Sequence, residues 1–230
     1  MKAVITGASK GIGRAIAELL ISKGFDIFIC ARNPEGLSTT KSVLEKQYPD
    51  RKVYTQAADL SKKEEVIAFA EAVRSEWPYF DILINNAGVF LPGSILNEPE
   101  GNLEYMINTN LYAAYYLTRS LLTNIKNGHI FNMCSIASLA AYPNGGSYSI
   151  SKFALLGFSK VLREELKDRK IRVTSVLPGA TWSASWEGVD LPEKRLMKAE
   201  DIAKAVWGAY ELSDQAVMEE LVIRPQLGDL

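Results

Sequence analysis

The sequence predicts an α/β protein with a doubly wound, mostly parallel seven-stranded sheet and helices on both faces. Short apolar runs alternate with amphipathic stretches along its 230 residues, an alternation typical of strands and helices in one layered sheet. Most runs are apolar on consecutive positions, as in parallel strands that helices cover on both faces. A glycine-rich turn, Gly7–Gly13, separates the first run from the first amphipathic stretch. Sheets of this kind build their binding sites at the carboxyl ends of their strands, where that turn lies.

Strands and helices are expected in alternation along the chain. The predicted strands are Lys2–Thr6, Ile27–Ala31, Val53–Ala57, Ile82–Ile84, Ile130–Cys134, Val173–Leu177 and Leu221–Ile223. The predicted helices are Ile12–Lys23, Gly36–Tyr48, Lys63–Glu76, Leu103–Ile125, Ser147–Asp168 and Ala199–Leu212. No repeat or linker divides the chain, so we expect one domain over residues 1–230. The one long irregular segment, Gly179–Lys198, is expected to be a substrate lid.

Composition and charge exclude several classes of protein. Hydrophobic residues make up 47% of the chain, and 26 basic residues against 27 acidic ones give a net charge of -1. Binding to a nucleic-acid backbone needs an excess of Lys and Arg, so no nucleic-acid partner is expected. The apolar stretches are interrupted well before the roughly 20 residues that a membrane helix needs, and the N-terminus lacks the apolar region of a signal peptide. The sequence therefore predicts a cytoplasmic protein with no membrane partner, in which Cys30 and Cys134 remain buried thiols.

The chain contains a single histidine, His129. A structural zinc site draws on a cluster of His and Cys ligands, so no metal is expected. A Ser-His-Asp triad would have to use His129, which begins a predicted strand. The sequence also lacks the nucleophile elbow that carries the serine of such a triad. Metal-dependent and serine-hydrolase chemistry are therefore not expected.

The turn Thr6-Gly7-Ala8-Ser9-Lys10-Gly11-Ile12-Gly13 follows the first strand. Gly7 permits a tight turn, Gly11 lets the backbone approach a pyrophosphate, and Gly13 lets helix and strand pack closely. The N–H groups at the start of the helix then face the anion. We therefore expect a bound dinucleotide to contact Gly7, Ser9, Lys10, Gly11, Ile12 and Gly13.

The end of the second strand bears on the choice of coenzyme. Enzymes selective for NAD place an acidic residue there to bind the ribose 2′-hydroxyl, whereas an Arg suits a 2′-phosphate. Here Ala31 takes the place of the acid, Arg32 follows it, and Lys10 projects from the glycine turn toward the same region. Arg32 alone is equally consistent with a solvated loop charge. Together with Lys10 it predicts NADPH/NADP+ as the coenzyme.

Tyr148 and Lys152 lie four residues apart on the predicted fifth helix. That spacing places both side chains on one face, with Cβ atoms about 5–6 Å apart. The pKa of a free tyrosine is about 10. A neighbouring ammonium favours the phenolate, so we expect Lys152 to lower the pKa of Tyr148 and to fit it for proton exchange.

Ser135 stands just after the fifth predicted strand, at the carboxyl edge of the sheet. Its hydroxyl is placed to bind a substrate oxygen and to polarise a carbonyl. Ser138, three residues further on, is the competing candidate.

These motifs, in this order, resemble those of the short-chain dehydrogenase/reductases, which have T-G-x-x-x-G-x-G after the first strand and Y-x-x-x-K on a later helix. Asn85-Asn86-Ala87-Gly88 matches the N-N-A-G motif of that family, and Pro178-Gly179 follows the sixth strand as the family pattern requires. The spacing to Tyr148 in the family favours Ser135 over Ser138. The resemblance covers most of the chain and implies a Rossmann-type fold, a homodimer or homotetramer, and a catalytic set of Ser135, Tyr148, Lys152 and Asn110.

The resemblance also implies roles for single residues. Asn110 would hold a water that links the Lys152 amine to solvent, although a helix-interior side chain bonded to backbone is the open alternative. Asp59 would accept from the adenine amino group, or cap the third helix, or both. Further cofactor contacts are expected from Leu60, Asn86, Ala87, Gly88, Tyr148, Lys152, Pro178, Gly179, Thr181 and Ser183.

The function expected is reduction of a small ketone or diketone with hydride from NADPH, with Tyr148 as the acid. The segments Pro178–Trp182 and Glu219–Pro225, with Trp186 and Gly228-Asp229, resemble bacterial sepiapterin-reductase-like members of the family. Trp182 and Trp186 of the lid are expected to contact substrate. One alternative is a 3-oxoacyl-[acyl-carrier-protein] reductase, although the charges of the lid form no clear basic patch for an acidic carrier. A more remote alternative is a non-catalytic module that senses NADPH.

Overall fold

The structure is a computed structural model that describes residues 1–182 and 192–229, apart from the side chain of Glu193. In this part of the chain, seven strands form one sheet in the order β3-β2-β1-β4-β5-β6-β7, and every neighbouring pair is parallel. The strands are β1 Lys2–Thr6, β2 Asp26–Ala31, β3 Val53–Ala57, β4 Phe80–Asn85, β5 Ile125–Met133, β6 Arg172–Pro178 and β7 Glu220–Ile223. The predicted fold class is confirmed.

The α-helices lie on both faces of the sheet. They are α1 Gly11–Ser22, α2 Pro34–Gln47, α3 Lys63–Glu76, α4 Asn102–Ile107, α5 Ala113–Leu121, α6 Gly146–Leu166 and α7 Ala199–Tyr210. Successive residues of a strand point to opposite faces, and the core divides accordingly. In β2, Ile27 and Ile29 pack with α1, α2 and α7, whereas Phe28 and Cys30 pack with α3 and α5. This two-sided burial explains why the strands are apolar on consecutive positions.

The prediction of one continuous helix over Leu103–Ile125 is wrong. It consists of α4, a π-helical segment Asn108–Tyr112, α5 and a short 3-10 turn Leu122–Asn124, and its last predicted residue begins β5. The π-helical segment widens the helix at Asn110, whose buried side chain bonds to backbone outside the helix. Hydrophobic periodicity does not reveal such a single-turn insertion within a helix.

The order of the strands determines where a site forms. The chain runs outward from β1 through β2 to β3, and then returns to β4 on the other side of β1. A crevice opens at such a reversal, beyond the carboxyl ends of the two strands. The glycine turn follows β1 and Asn86–Gly88 follows β4, so both motifs lie at this crevice.

Within the described residues, no helix is long and apolar enough to cross a bilayer. Both cysteines are buried and unpaired, with Cys134 directly after β5 rather than within it. Burial raises the pKa of the Cys134 thiol to about 11. Both side chains are therefore protonated thiols packed in the interior, as expected.

Candidate active site

The glycine turn has the backbone conformation that its glycines permit. Gly7 and Gly11 have φ of +65° and +58°, in the left-handed region that favours glycine. A Cβ on Gly13 would lie 2.4 Å from both the Gly7 carbonyl oxygen and the Asn86 amide nitrogen. Helix α1 begins at Gly11, and no side chain caps its first turn. Its free N–H groups therefore face the crevice, as an anion site requires.

Asn86 fastens the two sides of this crevice together. Its amide nitrogen donates to the carbonyl oxygens of Thr6 (2.9 Å) and Gly7 (3.1 Å). In return, the Thr6 hydroxyl accepts from the backbone N–H groups of Asn86 and Ala87, each at 2.9 Å. The N-N-A-G segment and the glycine turn are thus held as one unit, with Gly88 at its exposed end.

A cavity of about 540 Å³ lies at the carboxyl edge of the sheet, next to this unit. Ser135, Tyr148 and Lys152 all line it, although they come from a loop and a helix separated in sequence. Its other walls include Ile12, Asn86, Gly88, Val89, Phe90, Pro92, Ile136, Tyr142, Pro178, Gly179, Thr181, Arg224 and Asp229. The predicted dinucleotide end and the predicted catalytic residues therefore share one space.

Ser135 and Ser138 have different environments. The Ser138 hydroxyl accepts from the Ser135 backbone N–H at 3.2 Å, and the Ser135 hydroxyl accepts from Ala137 N–H at 3.1 Å, which closes a capping box around a 3-10 turn. Ser138 is 1% exposed, while Ser135 lines the cavity. Of the two candidates, only Ser135 borders the space that holds Tyr148.

Tyr148 is held at the cavity wall by packing. Its ring meets the ring of Phe90 edge to face, with centroids 4.9 Å apart. Burial raises the pKa of Tyr148 above its usual value, while the Ser135 hydroxyl opposes this rise. The expected lowering by Lys152 does not appear, because burial dominates and the Lys152 nitrogen lies 5.7 Å from the ring centroid. The phenol is therefore protonated near neutral pH.

Lys152 reaches back from α6 to the sheet. Its ammonium group donates to the Met133 carbonyl oxygen at 2.8 Å. Burial lowers the pKa of Lys152 to about 8, although the neighbouring Cys134 opposes this shift. A Cβ on Gly88 would lie 3.5 Å from the ammonium nitrogen, so the glycine leaves space beside it. The amine thus lies between the end of β5 and Gly88 of the N-N-A-G motif.

Asn110 uses its side chain to fix the cavity wall. Its carbonyl oxygen accepts from Val89 N–H at 2.8 Å, and its amide nitrogen donates to the Val89 carbonyl (3.0 Å) and the Ser151 hydroxyl (2.9 Å). Ser151 in turn donates to the Tyr148 carbonyl at 2.7 Å. The side chain therefore bonds to backbone, as the alternative interpretation expected, and it also connects the N-N-A-G side of the cavity to α6.

The outer end of the crevice carries the residues predicted for adenosine. Arg32 donates to the Tyr105 phenol at 2.6 Å. Asp59 accepts from the backbone and hydroxyl of Ser61 at 3.1 and 2.8 Å, and it is not the N-cap of α3, which is Lys62. Although partial burial raises its pKa, the Ser61 bonds and the charge of Arg32 outweigh this and lower it below the usual value. Leu60 is 5% exposed and packs in the core.

Lys10 is exposed at the start of α1 and borders a second cleft, together with Trp182 and Lys198. Trp182 therefore faces this neighbouring cleft, 42% exposed, and not the walls of the catalytic cavity. Ser183 and Trp186 lie outside the described residues. Leu196 is buried and Met197 packs against the core, so these two lid residues serve the interior.

The segment after β6 is hydrogen-bonded to the end of β7. Pro178 ends β6, and Gly179 N–H donates to the Ile223 carbonyl at 2.8 Å. The Thr181 hydroxyl donates to the Gly179 carbonyl at 2.9 Å. Pro178, Gly179 and Thr181 all reach the cavity, so three of the four residues expected there lie in place for a ligand.

Sequence reasoning missed four residues of this site. Phe90 and Tyr105 touch predicted residues directly, and Arg224 and Asp229 form an ion pair in the cavity wall. The last two stand just beyond the final strand, so position at the carboxyl edge was a usable signal for them. No pattern pairs Phe90 with Tyr148 or Tyr105 with Arg32, since each contact joins distant parts of the chain.

Comparison with known proteins gives a consistent result. The profile of the short chain dehydrogenase family matches residues 1–193. Sepiapterin reductase of Chlorobaculum tepidum is 32% identical over 236 aligned residues, which cover 99% of this chain and 97% of that protein.

Two solved structures superimpose closely. An alcohol dehydrogenase from the archaeon Thermococcus sibiricus, complexed with 5-hydroxy-NADP, has a TM-score of 0.90 at 28% identity, over 98% of this chain and 96% of that one. L-Sorbose reductase from Gluconobacter frateurii, complexed with NADPH and L-sorbose, has a TM-score of 0.88 at 27% identity, over 97% and 95%. The profile match, the relative and the shared fold agree with the glycine turn and the Tyr148–Lys152 motif: this chain belongs to the short chain dehydrogenase family of oxidoreductases.

Proposed function

We propose that this protein is an NADPH-dependent carbonyl reductase that acts on a small ketone or diketone, with Tyr148 as the proton donor. The observation that carries the proposal is the meeting of Ser135, Tyr148 and Lys152 in one cavity that Ile12 and Gly88 also line. Hydride transfer to a carbonyl needs a proton donor and a dinucleotide at the same cavity. This cavity has Tyr148 as a donor and borders the crevice that fits a dinucleotide.

The residues at the crevice fit a dinucleotide. The uncapped start of α1 and the left-handed turns at Gly7 and Gly11 form a backbone cradle for a pyrophosphate. Gly88 leaves open the space beside the Lys152 ammonium that a side chain would take. Gly7, Ser9, Gly11, Ile12, Gly13, Asn86, Ala87 and Gly88 would hold the inner half of the coenzyme, and Asp59 and Leu60 its adenine end.

Preference for NADPH is proposed from charge. Arg32 and Lys10 supply cations and no acidic residue stands at Ala31, a combination that suits a 2′-phosphate. The two structural relatives described above are bound to 5-hydroxy-NADP and NADPH. Pro178, Gly179, Thr181 and Ser183 would contact the nicotinamide end.

When bound, NADPH supplies the hydride that reduces the carbonyl carbon. Tyr148 donates its phenolic proton to the carbonyl oxygen, and its raised pKa keeps that proton available at neutral pH. Ser135 donates a hydrogen bond to the same oxygen and stabilises its developing negative charge. Lys152 offsets the phenolate charge that remains on Tyr148 and binds the ribose. Asn110 holds Val89 next to Ser151 of α6 and would connect Lys152 to solvent.

The cavity favours a compact, partly apolar substrate. Phe90, Pro92, Ile136 and Tyr142 give it an aromatic and aliphatic wall, and the Arg224–Asp229 pair supplies a polar end. Sepiapterin, a pterin with a side-chain ketone, is a reasonable candidate because a sepiapterin reductase is 32% identical to this chain. Trp182 borders the neighbouring cleft, so only Trp186 remains a proposed substrate contact, and the lid at Gly179–Lys198 stays a prediction.

A panel of carbonyl compounds tests the substrate class. We expect higher kcat/KM for sepiapterin or a simple vicinal diketone than for an acetoacetyl thioester. A clear preference for the thioester would favour the acyl-carrier alternative. Absence of NADPH oxidation with every member, together with tight NADPH binding, would favour the sensing module.

Substitution of the proposed acid tests the reaction. Tyr148→Phe keeps the ring that packs on Phe90 and removes the proton, so kcat should fall by about 10²–10⁴ while NADPH binding is kept. Tyr79→Phe removes a phenol from an exposed tyrosine and serves as the matched control. A Tyr148→Phe enzyme with the activity of the control would refute the assignment.

Assembly and location are proposed with this function. Large apolar side chains are exposed on α6 and on the π-helical segment before α5, among them Tyr112, Ile150, Phe153 and Val161. Such a surface supports a homodimer or homotetramer. The buried thiols support a reducing, cytoplasmic location. We also propose that residues 1–230 form a single domain.

A further inference from the structure

Helix α6, which carries Tyr148 and Lys152, has no cap of its own. It begins at Gly146, its N-cap residue is Gly145, and no side chain of the N-cap bonds to its first turn. The first N–H groups of a helix have no partner within the helix and need one elsewhere. Tyr148 is the third residue of this uncapped turn. Fraying of the turn would therefore displace the phenol.

A carboxylate from a distant loop supplies the missing partner. The Ser147 hydroxyl donates to one oxygen of Glu98, and the Ser147 N–H lies 3.5 Å from the other. Glu98 precedes Ser147 by 49 residues and belongs to the loop between β4 and α4. Ser147 is 1% exposed and Glu98 is partly exposed, so the bond is partly buried. A negative group at this position also suits the dipole of the helix.

The approach of the loop to the helix depends on two glycines. A Cβ on Gly93 would lie 2.9 Å from the Cβ of Glu98, and a Cβ on Gly146 would lie 2.5 Å from the Gly93 carbonyl oxygen. The Gly93 N–H donates to the Asn144 carbonyl at 3.0 Å. The backbone is thus shaped to bring Glu98 to the start of α6.

The same loop contacts Tyr148 by a second route. Phe90, eight residues before Glu98, packs against the Tyr148 ring, and Phe90 and Pro92 line the cavity. Glu98 therefore holds the loop against the start of α6, and Phe90 of the same loop packs against the Tyr148 ring. Loss of the carboxylate would loosen both supports of Tyr148.

We infer that Glu98 is a positioning residue for the reaction, which acts by capping α6 through Ser147 and so fixing the phenol of Tyr148 over the cavity. The inference rests on the proposed function, in which Tyr148 is the acid. Glu98 itself does not line the cavity. Its effect should therefore appear in the rate of the chemical step and not in the binding of NADPH.

The test compares three full-length variants with the wild type by kcat, KM and the Kd for NADPH, with the best ketone of the panel. Glu98→Ala should lower kcat about ten- to hundredfold, because a small misplacement of a catalytic group has effects of this size. Its Kd for NADPH should stay within about twofold of wild type, as expected when only the transition state is affected. Glu98→Gln keeps an acceptor for Ser147 and should retain most of kcat. Glu100→Ala, on the same loop and exposed, is the matched control.

A double variant separates positioning from general damage to the fold. In a Tyr148→Phe background, Glu98→Ala should cause no further loss of the residual rate, because its target is already gone. A wild-type kcat for Glu98→Ala, or an equal further loss in the Tyr148→Phe background, would overturn the inference. If Glu98→Ala does not fold, Ser147→Ala decides: a lowered kcat with unchanged Kd for NADPH supports it, and an unchanged kcat refutes it. Failure of the proposed function is read separately, from a fully active Tyr148→Phe enzyme.

Discussion

The ammonium group of Lys152 donates a hydrogen bond to the carbonyl oxygen of Met133, the last residue of β5, at 2.8 Å. This bond connects the helix that carries Tyr148 to the edge of the sheet from which Ser135 follows. Burial disfavours the charged form of the amine and lowers its pKa from 10.5 to about 8. The amine is therefore mostly charged at neutral pH and loses its charge in a mildly alkaline range.

The first prediction is an alkaline limb in the activity of the wild-type enzyme. Since kcat/KM reports the groups of the free enzyme, kcat/KM for NADPH in ketone reduction should fall as pH rises through about 8. Whatever activity Lys152→Arg retains should lack this limb, because a guanidinium stays charged throughout. A wild-type profile that is flat to about pH 10, well above this pKa, would contradict the assignment.

The second prediction concerns the coenzyme. Charge-assisted hydrogen bonds from Lys10 and Arg32 to a 2′-phosphate should give NADPH a preference over NADH of roughly a hundredfold in kcat/KM, after allowance for solvent screening. The double substitution Ala31→Asp with Arg32→Ala should reverse the order. Equal use of both coenzymes by the wild-type enzyme would refute the charge argument.

The third prediction assigns Tyr105 a part in the same preference. Its phenol accepts from Arg32 at 2.6 Å and, among the residues that the structure describes, leaves the other guanidinium donors free, whereas pairing with Asp59 would neutralise the charge. Tyr105→Phe should therefore raise KM for NADPH by about three- to tenfold, with little change for NADH.

A double-mutant cycle checks that this effect passes through Arg32. In an Arg32→Ala enzyme, Tyr105→Phe should have no further effect on KM for NADPH. Equal losses for NADPH and NADH would instead show that Tyr105 supports the fold of α4. Tyr112→Phe, an exposed tyrosine in the π-helical segment, is a suitable control.

The sheet and its motifs were predictable because they depend on local patterns. Apolar runs predicted every strand, and the glycine turn and Asn86–Gly88 lie at the ends of β1 and β4, as their order required. Tyr148 and Lys152 reach one cavity because a helix brings positions four apart to the same face. Here sequence spacing alone determines the geometry.

The remaining features depend on contacts between distant segments. Glu98 meets Ser147 across 49 residues, and no periodicity relates them. The π-helical segment at Asn110 depends on bonds to Val89, 21 residues away. Trp182 borders the second cleft, where its N–H donates to the Met197 carbonyl at 2.8 Å, 15 residues further along the chain. Tertiary hydrogen bonds decided these cases, and single-sequence patterns do not contain them.

The fourth prediction concerns stability in acid. His129 is fully buried, and its Nε2 lies 2.7 Å from the Thr174 hydroxyl, which donates to the Met218 carbonyl at 2.5 Å. Nε2 must then carry the proton of the neutral ring, since the hydroxyl has only one to donate. Burial, reinforced by Arg172, lowers the pKa of His129 from 6.5 to about 3.

The sign of the effect follows from proton binding. Between pH 6.5 and 3 the unfolded chain binds a proton at His129 that the folded chain does not, so the free energy of unfolding falls as pH falls. The slope is about 1.4 kcal/mol per pH unit. Relative to His129→Gln, which does not titrate, the wild type should lose about 2 kcal/mol more between about pH 7.5 and 5 in urea unfolding. Parallel pH dependences for the two proteins would exclude this contribution.

The fifth prediction separates two roles of Asn110. Its side chain satisfies both backbone groups of Val89 and bonds to Ser151, which bonds to the Tyr148 carbonyl. Asn110→Leu is close in volume and removes the three bonds that the Asn110 side chain makes to Val89 and Ser151. Buried groups left without partners cost about 1–3 kcal/mol each, so the variant should unfold at clearly lower urea concentration and bind NADPH more weakly.

Asn110→Asp distinguishes support of the wall from supply of protons. The carboxylate still accepts from Val89 N–H but faces the Val89 carbonyl without a proton to donate, so a supporting role predicts loss of stability and of NADPH affinity together. A proton-supply role alone predicts a lower kcat with a larger solvent isotope effect and unchanged NADPH affinity, since binding precedes the proton step. The three bonds at 2.8–3.0 Å favour the first outcome. An Asn110→Asp enzyme that is as stable as wild type and binds NADPH normally would leave proton supply as the only role.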